Sequence, residues 1–368
     1  MTKTKVLFFG KLPPPYIGPA VATQIILNSA LREQFELVHF DISHHKSFSD
    51  LGKYSWRNIW AAVRLYFKLV VAILQEKPKI VYLPSQQTNI AYLRDVPFVL
   101  IAKLMGRKVV CQLRGGYFKN WYNETVAPMR WLVRRIQALI DGQMVLGENL
   151  RHLYSDFMPD DRIFVVPNGG NYTIPARNAD HNTVDILFLG NFIESKGVLD
   201  VLRSATLLPE SYWPKVRFLF AGNWRDEQTK NTFEEIVADH PGLPVTIVGP
   251  VYNEDKFQLL ANSDVFVFPS FYRNEGHPWV IVEAMAAGLP IISTDHAAIA
   301  ESVIHEQNGF LVEKREPVEI AQRIVTLVDD PSLRNQMAVA SRQHYEAGFT
   351  EASLVDNFAN AFTQVAKR

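Results

Sequence analysis

Short apolar segments alternate with amphipathic stretches along the chain, and this alternation restricts the fold more than any other sequence feature. The strand-like segments are Lys5–Phe9, Glu36–Phe40, Ile80–Leu83, Lys108–Leu113 and Gly142–Leu146 in the first half, and Asp185–Leu189, Val216–Ala221, Val245–Val248, Val265–Pro269 and Pro290–Thr294 in the second. Helical stretches such as Ala20–Leu31 and Trp56–Leu74 separate them. Strands that alternate with helices form parallel sheets covered on both faces. We therefore predict an α/β protein with two doubly wound parallel-sheet domains.

The length of the chain and one irregular segment predict where the domains divide. A chain of 368 residues is longer than one ordinary core. Glycine, proline and asparagine residues interrupt the periodicity in Pro167–Asn182. We predict a Rossmann-like N-terminal domain at residues 1–170, a Rossmann-like C-terminal domain at 171–350 and a closing helix at 351–368. The pattern leaves open whether that helix packs back toward the N-terminal domain.

Three features predict a cytoplasmic protein. Met1–Gly10 enters a strand-like segment directly, so we expect no secretory signal. Ile59–Leu74 contains Arg64 and Lys68 and is shorter than the roughly 18 to 20 apolar residues that a membrane span needs. Cys111 is the single cysteine, which excludes an intrachain disulfide and fits a reducing compartment.

The charges divide unevenly between the two halves. Residues 1–175 contain 22 Lys and Arg against 12 Asp and Glu, whereas residues 176–368 contain 16 against 26. Aromatic and cationic residues mix in Trp56–Leu74 and Trp121–Arg135. Two interpretations stay open for these stretches: interfacial helices on an anionic membrane, or helices that pack on the sheet with solvated cations outside. The basic half predicts an anionic partner such as a phosphate-bearing lipid or the inner face of a membrane, and the acidic half argues against nucleic acid.

The most informative segment follows the strand that ends at Pro269. It reads Asn274-Glu275-Gly276-His277-Pro278-Trp279-Val280-Ile281-Val282-Glu283-Ala284-Met285-Ala286-Ala287-Gly288-Leu289-Pro290. A helix is expected to start near Pro278 and to stop at Gly288, and its first turn offers free N–H groups and a positive dipole end to a diphosphate.

The two glutamates of this segment are eight residues apart. If the spacing were wholly helical, Glu275 and Glu283 would lie about 12 Å apart, too far to act as an acid/base pair on one atom. Such a spacing suits two carboxylates that bind hydroxyls on either side of a diphosphate, one on a sugar and one on a ribose. Alternatively, both are charges favoured near a helix N-terminus.

The pattern E-x7-E within E-G-x-P-x-V-x-V-E-A-M-A-x-G-x-P resembles the signature of retaining glycosyltransferases of family 4, glycosyl transferases group 1. That family has the GT-B fold, two Rossmann-like domains facing a cleft. The resemblance implies an acceptor-side N-terminal domain and a donor-nucleotide C-terminal domain.

Other segments match the family in the same order along the chain. Gly190-Asn191-Phe192-Ile193-Glu194-Ser195-Lys196-Gly197 resembles the loop G-R-x4-K-G, whose Arg and Lys hold the donor diphosphate, with Asn191 in place of Arg. Further matches are Val166-Pro167-Asn168-Gly169, Ile247-Val248-Gly249, and Glu301 with Asn308-Gly309. The loss of the guanidinium at Asn191 removes a bidentate donor, so another base would have to help Lys196.

Two segments of the first half depart from the family. Pro13-Pro14-Pro15-Tyr16-Ile17-Gly18-Pro19 resembles its glycine-rich loop, with Pro19 in place of the second Gly. Gln112-Leu113-Arg114-Gly115-Gly116 has Arg114 where the family commonly has His near the donor sugar. Arg114 either pairs with a phosphate or an acidic acceptor, or is an ordinary charge at a strand end.

The resemblance gives a set of candidate site residues. Glu275, Lys196 and Arg114 are the catalytic candidates. The donor-binding candidates are Gly18, Gly190, Asn191, Lys196, Gly249, Glu275, Gly276, His277, Trp279, Val280 and Glu283. No D-x-D, H-E-x-x-H, G-x4-G-K-[ST] or cysteine cluster is present, so we expect no metal and no cofactor besides the nucleoside-diphosphate sugar substrate. His44-His45 is expected to be a solvated loop pair.

The predicted function is transfer of a hexose-type residue, with retention, from a nucleoside-diphosphate donor to a hydroxyl of a glycan or lipid-linked acceptor. The pathway implied is cell-surface polysaccharide or glycolipid assembly. A sugar-nucleotide epimerase of the GT-B type and a noncatalytic peripheral membrane scaffold are the alternatives. Gly10-Lys11-Leu12-Pro13 lacks G-x-G-x-x-G after the first strand, which argues against a dinucleotide-binding oxidoreductase.

Overall fold

The computed structural model of the chain describes residues 3–14, 18–42, 56–178 and 182–368, and the side chains of 56–62 are not described. The predictions for His44-His45, for Pro15–Ile17 and for the side chains of Trp56, Ile59 and Trp60 lie outside this part. The chain folds into two compact units. Unit 1 is residues 1–168 together with 351–368, and unit 2 is residues 169–350.

The elements are numbered along the chain. The strands are β1 (Thr4–Gly10), β2 (Phe35–Asp41), β3 (Ile80–Pro84), β4 (Lys108–Gln112), β5 (Gly142–Val145), β6 (Ile163–Val165), β7 (Val184–Leu189), β8 (Val216–Ala221), β9 (Val245–Gly249), β10 (Val265–Phe268), β11 (Ile291–Thr294) and β12 (Gly309–Val312). The helices are α1 (Gly18–Asn28), α2 (Leu31–Gln34), α3 (Trp56–Glu76), α4 (Asn89–Leu104), α5 (Phe118–Glu124), α6 (Ala127–Gln137), α7 (Val198–Thr206), α8 (Glu227–Asp239), α9 (Asn253–Asn262), α10 (Trp279–Ala286), α11 (Ile299–Ser302), α12 (Pro317–Asp329), α13 (Pro331–Gly348) and α14 (Glu351–Lys367). No helix in the described ranges is long and apolar enough to cross a membrane.

Each unit contains one sheet. Among the described residues, the sheet of unit 1 has six strands in the order β2-β1-β3-β4-β5-β6. The sheet of unit 2 has six in the order β12-β11-β10-β7-β8-β9. All neighbouring strands pair in parallel, as β7 does with β10 through Ile186 and Val265. The prediction of two doubly wound parallel-sheet domains is confirmed.

The sequence prediction was wrong at three places. It omitted β6 and β12, which are edge strands of three and four residues and too short to show a periodicity. The helix predicted at Ala20–Leu31 ends at Asn28, and a short second helix, α2, begins at Leu31. The Ser29 hydroxyl accepts a hydrogen bond from the N–H of Leu31 at this break, a local contact of the kind that competes with helix continuation.

The closing helix belongs to unit 1. Phe358, Phe362 and Val365 of α14 are fully buried in a cluster with residues of β1 and β3, including Phe8 and Tyr82. Because large aromatic side chains bury extensive apolar area, this packing ties the chain's last helix to its first sheet. The order of the elements along the sequence could not predict that α14 packs on the sheet of unit 1.

The order of the strands shows where each sheet can bind a ligand. In unit 2 the chain winds from β7 toward β9 in one direction and from β10 toward β12 in the other. In such open sheets, ligands bind outside the carboxyl ends of the strands at the point where the order reverses. That point lies between β7 and β10 in unit 2, and between β1 and β3 in unit 1.

Candidate functional site

Two loops meet at the reversal point of unit 2. The loop after β7 runs through Lys196, and the loop after β10 runs through Glu275. The N–H of Phe271 donates to the carbonyl of Ser195 over 2.8 Å, which joins the two loops directly. Gly197 makes this approach possible: it has φ +83°, and a Cβ there would lie 2.6 Å from the carbonyl oxygen of Pro269. The pair Lys196-Gly197 therefore has two roles: Lys196 supplies a charge, and Gly197 allows the two loops to approach each other.

Lys196 and Glu275 form an ion pair at this contact. Lys196 Nζ lies 2.6 Å from Glu275 Oε2, and the two side chains are only 16% and 10% exposed. The Ser270 hydroxyl donates to the same oxygen over 2.9 Å. Lys196 Nζ also lies 5.3 Å from the ring centre of Phe268 and 5.1 Å from that of Tyr272. Glu275 Oε1 has no hydrogen-bond partner among the described residues, so one oxygen remains able to accept a ligand hydroxyl.

Helix α10 starts directly after the Glu275 loop. Pro278 precedes its first residue with non-helical ψ, so Trp279 and Val280 present their N–H groups at the open end of the helix. The spacing from Glu275 to Glu283 is therefore not wholly helical, because Glu275 lies in the loop and α10 begins only at Trp279. Both Trp279 and Val280 are partly exposed, whereas Gly276 is buried and its carbonyl accepts from Ala298 over 2.9 Å.

His277 faces the protein interior. Its Nε2 lies 2.6 Å from the Ser302 hydroxyl, and its ring centre lies 5.4 Å from that of Phe349. Burial lowers the pKa of His277 to about 3, because a buried imidazolium loses its hydration. The ring is thus neutral near pH 7. A donor contact from this residue would have to come from its backbone.

A second lysine–glutamate pair lies on α10. Lys256 Nζ of α9 lies 2.5 Å from Glu283 Oε1, and the side chains are 23% and 8% exposed. Glu283 Oε2 is buried and has no hydrogen-bond partner in the described part of the chain. Burial raises the pKa of Glu283, and the neighbouring Lys256 ammonium opposes that shift. A buried carboxylate oxygen without a partner is costly unless something donates to it.

The remaining candidates of unit 2 lie at the carboxyl edge of its sheet. Gly190 follows β7 and donates its N–H to the carbonyl of Ala221 over 3.0 Å, and Asn191 comes next, partly exposed. Gly249 ends β9 with φ +82°, and its carbonyl accepts from the N–H of Gly222 over 2.9 Å. These residues therefore share one sheet edge with Lys196.

Two candidates belong to unit 1 instead. Gly18 is the exposed first residue of α1. Arg114 follows β4, and it donates to the carbonyl of Pro19 over 3.1 Å and to the Tyr82 hydroxyl over 3.2 Å. Within its own unit, Arg114 is thus held at the end of the sheet beside α1.

Several residues that match the family pattern have visible structural contacts. Asn308 accepts from the N–H of Ile304 over 2.7 Å and donates to the carbonyl of Ser302 over 2.9 Å, so it closes the turn before β12. A Cβ on Gly309 would lie 1.9 Å from the carbonyl of Ile291, and one on Gly169 would lie 2.5 Å from that of Thr350. Close backbone approach explains these two glycines.

Sequence reasoning missed Lys256 and Ser270. Lys256 sits in the first turns of α9, and no spacing in the sequence relates it to Glu283. Ser270 is fully buried two residues after β10, and only its place after an apolar strand could have suggested a role. Across the described residues, no three His, Cys, Asp or Glu side chains are grouped to hold a metal ion. Metal independence stays a prediction.

The C-terminal unit matches a known family model. Residues 173–344 match the model described as glycosyl transferases group 1. The chain is 26% identical over 228 residues to glycogen synthase of Mycobacterium tuberculosis, an alignment covering 60% of this chain and 52% of that protein. It is 24% identical over 244 residues to the capsular polysaccharide biosynthesis glycosyltransferase CapM of Staphylococcus aureus, covering 61% and 62%. These alignments span about half to three fifths of the relatives' length.

Solved structures match almost the whole chain. Anabaena HepE in complex with UDP and glucose aligns with a TM-score of 0.75 and 17% identity, covering 98% of this chain and 99% of HepE. Sucrose-phosphate synthase from Thermosynechococcus elongatus aligns with a TM-score of 0.74 and 14% identity, again covering 98% and 99%. At such identities the likeness establishes the fold, which is GT-B, and not the substrate. Within this GT-B fold, the match to the glycosyl transferases group 1 model lies in unit 2, at residues 173–344.

Proposed function

We propose that the protein transfers a hexose-type residue from a nucleoside-diphosphate sugar to an acceptor hydroxyl, with retention of the anomeric configuration. The acceptor is a glycan or a lipid-linked glycan of cell-surface polysaccharide or glycolipid assembly. The group 1 domain supports a glycosyltransferase, and HepE, a structural neighbour, was solved with UDP and with UDP-glucose. Because this match lies in unit 2, we assign donor binding to that unit.

One observation carries this proposal. Glu275 and Glu283 are each held by one lysine through one oxygen, and the other oxygen of each has no partner among the described residues. The N-terminus of α10 lies between them in the chain. Glu275 Oε1 accepts a hydroxyl of the donor sugar, and Glu283 Oε2 accepts a hydroxyl of the ribose. The diphosphate occupies the N-terminus of α10, which offers the N–H groups of Trp279 and Val280.

The same arrangement supplies the electrostatic part of catalysis. As the bond from the anomeric carbon to the diphosphate breaks, the electron pair leaves with the diphosphate. The acceptor hydroxyl forms the new bond from the same face of the sugar, and its proton passes to an oxygen of the departing diphosphate. The ammonium of Lys196 and the helix N–H groups stabilise the negative charge that develops on the leaving group. Asn191 cannot supply the second charge that an arginine would, so Lys196 carries a larger share.

A binding experiment tests the donor site. Isothermal titration of UDP into Glu283→Gln and Lys196→Ala should give a Kd about tenfold or more above that of the parent, since each loses a charged hydrogen bond worth about 1.5 to 3 kcal/mol. Glu234→Gln is the matched control, because Glu234 is exposed on α8 and only 3.9 Å from Lys230. Unchanged Kd values in the site variants, with their thermal midpoints intact, would refute the assignment.

A second experiment separates the alternatives. NMR of the product formed from a UDP-sugar identifies the anomeric configuration of the new bond. Formation of an epimerised nucleotide sugar in the absence of an acceptor would favour the epimerase. Failure to bind or turn over any nucleotide sugar, together with vesicle binding, would favour the scaffold.

We further infer that unit 1 associates with the anionic inner face of a membrane. Helix α4 contacts strand β4 of its sheet and packs against both α3 and α6. Their outer surface exposes Phe67 to 69%, Leu104 to 87% and Trp131 to 61%. Packing on the sheet explains the buried residues Leu65 and Leu69 of α3, but it leaves these exposed apolar side chains unexplained.

Cations accompany this apolar surface. Arg64 and Lys68 of α3 and Arg134 and Arg135 of α6 are exposed, and the Arg135 guanidinium lies 5.5 Å from the ring centre of Trp131. Apolar side chains next to cations suit the interface of an anionic bilayer, where each cation contributes about 1 kcal/mol. Charge complementarity therefore favours anionic lipid as the occupant of this surface.

Co-sedimentation with vesicles tests the membrane proposal. Arg135→Glu should bind phosphatidylserine-containing vesicles about tenfold or more weakly than the parent at low salt, because a favourable charge becomes a repulsive one. Lys215→Glu is the matched control, since Lys215 is exposed in unit 2 and lies 4.6 Å from the ring centre of Tyr212. Equal binding of the parent to neutral and anionic vesicles would contradict the proposal.

A further inference from the structure

Unit 1 contains a cavity whose lining includes none of the donor-binding candidates of unit 2. It has a volume of about 300 Å³ and lies where β1, β3 and β4 end. Lys11 follows β1, Gln86 follows β3 and Arg114 follows β4, and all three line the cavity. The site is the reversal point of this sheet, the position at which open parallel sheets bind their ligands. Its volume falls at the lower end of the range for small-molecule pockets, about 300 to 1,000 Å³.

The charged lining of the cavity is mainly positive. Lys11, Arg94 and Arg114 contribute three cations, and Asp95 contributes one carboxylate. Arg94 and Asp95 bind each other through two contacts, Nε to Oδ1 over 2.6 Å and Nη2 to Oδ2 over 3.1 Å. The carboxylate is therefore engaged by the arginine next to it. The positive charges of Lys11 and Arg114 remain without a carboxylate partner in the described part of the lining.

The surroundings of Lys11 disfavour the charged form of its side chain. Burial is the main cause that lowers its pKa, and repulsion from Arg94 lowers it further. The carboxylate of Asp41, at the end of β2, raises the pKa of Lys11, but by less than burial and Arg94 together lower it. No hydrogen bond or ion pair joins Lys11 to another described residue. An anion bound in the cavity would give the Lys11 ammonium a partner and would offset its repulsion from Arg94.

Arg114 donates two hydrogen bonds to described residues, which leaves several of its N–H groups for a ligand. Its Nη1 donates to the carbonyl of Pro19 and its Nη2 to the Tyr82 hydroxyl. Tyr82 in turn donates to Gln112, and both Tyr82 and Gln112 are buried. A guanidinium has about five N–H donors, so these contacts fix its orientation and leave most of the donors without a described partner. A fixed guanidinium fork suits carboxylate and phosphate groups.

We propose that this cavity binds a carboxylate or phosphate group on a sugar-sized ligand, through Lys11 and Arg114. The apolar residues Leu65 and Phe98, which also line the cavity, pack against the uncharged part of that ligand. The identity of the ligand as the acceptor rests on the proposed glycosyltransferase function. The binding of the anionic sugar does not, because it needs only unit 1. The proposed acceptor is thus an acidic or phosphorylated glycan rather than a neutral one.

Titration calorimetry with the full chain tests this proposal. D-glucose, D-glucuronate and D-glucose 6-phosphate are titrated separately at low salt in saturating UDP, so that the proposed donor site is occupied. We expect no measurable binding of glucose and clear binding of at least one anionic sugar. The better of the two anionic sugars identifies the group as a carboxylate or a phosphate.

Two lysine variants provide matched comparisons. Lys11→Gln should weaken binding of the anionic sugar about tenfold or more, because it loses a charged hydrogen bond. Lys79→Gln removes the same charge from an exposed position just before β3 and should leave the affinity unchanged. Lys11→Arg keeps the charge and should retain binding, which guards against a Lys11→Gln variant that merely fails to fold.

Three outcomes would overturn the proposal. These are equal affinity for glucose and both anionic sugars, no binding of either anionic sugar to a folded parent, and equal loss in Lys11→Gln and Lys79→Gln. A UDP titration of the parent without sugar tests the donor site by itself. Failure of UDP binding alone would contradict the proposed function and leave the anion site standing.

Discussion

The pair formed by Lys256 and Glu283 offers the sharpest test of the site's electrostatics. Lys256→Met would leave the Glu283 carboxylate 8% exposed and without its 2.5 Å partner. Removing one partner of a buried ion pair is strongly destabilising, by about 3 to 5 kcal/mol, because the other charge stays buried. Because the Lys256 side chain is itself 23% exposed, water can hydrate part of the Glu283 charge once the lysine is removed. We therefore expect a loss of stability at the lower end of this range of free energies.

The thermal consequence follows from the size of unit 2, residues 169–350. For domains of this size, each kcal/mol shifts the midpoint by roughly 2 to 4 °C, so about 3 kcal/mol corresponds to roughly 6 to 12 °C. The double variant Lys256→Met/Glu283→Gln has no charge to leave unpaired and should regain most of this loss. Lys230→Met, which breaks an exposed 3.9 Å pair with Glu234, should shift the midpoint by less than about 4 °C.

The loss of stability in Lys256→Met should also depend on pH. Burial already raises the pKa of Glu283 above its unfolded value of about 4.3, and loss of the Lys256 ammonium raises this pKa further. Between the unfolded and folded pKa values the native state binds more protons than the unfolded state, so stability falls as pH rises through that window. The deficit of Lys256→Met is therefore smaller at pH 5 than at pH 8, where the buried carboxylate must ionise.

Differential scanning calorimetry at pH 5 and pH 8 measures these shifts for the parent and the three variants. The unfolding of two units need not be two-state, so midpoints are compared rather than extrapolated free energies. A deficit of equal size at both pH values would refute the reasoning. So would a double variant that is as unstable as Lys256→Met, because the loss would then come from packing.

Two further predictions concern the metal and the loop contact. Sugar transfer should continue in EDTA, because no D-x-D motif is present to hold a divalent ion with the donor, and loss of transfer restored by Mg²⁺ or Mn²⁺ would contradict this. Gly197→Ala should weaken UDP binding and lower the thermal midpoint by more than Gly106→Ala does. Both glycines have positive φ, but a Cβ at Gly197 meets the Pro269 carbonyl at 2.6 Å, whereas one at Gly106 meets nothing within 4 Å.

The sequence predicted the sheets well because their strands are buried on both faces. Segments such as Ile186–Leu189 and Val265–Phe268 read as continuous apolar runs, which helices on either side explain. The edge strands β6 and β12 pair on one side only and are short, so their sequence carries little of this signal. The end of α1 depends on the Ser29 contact with Leu31, which a helical periodicity does not register.

For the candidate site too, some residues could be predicted from the sequence and others could not. Lys196, Glu275 and Glu283 were predicted because two linear motifs contain them, and Gly197 then places Lys196 and Glu275 together. Lys256 could not be predicted in this way, because its contact with Glu283 joins side chains of α9 and α10 that the fold brings together and does not follow from any spacing. The cavity of unit 1 is similar: its cations come from three separate loops and helices, and only the tertiary fold brings them to one place.

The division of charge implies that donor and membrane binding respond differently to salt. Residues 176–368, which hold the proposed donor site, carry 26 Asp and Glu against 16 Lys and Arg, so the long-range field of this half repels an anionic nucleotide. Binding of UDP there must rest on short contacts with Lys196 and the N–H groups of α10, which salt screens little because they are partly buried. The proposed vesicle binding by the basic half rests on exposed cations, whose attraction to anionic lipid decays over a Debye length of about 8 Å at 0.15 M salt. Raising salt from about 0.05 to 0.3 M should therefore release the protein from anionic vesicles while the Kd for UDP changes by less than about threefold. A Kd for UDP that rises as steeply as vesicle binding falls would show that the nucleotide is held by exposed charge instead.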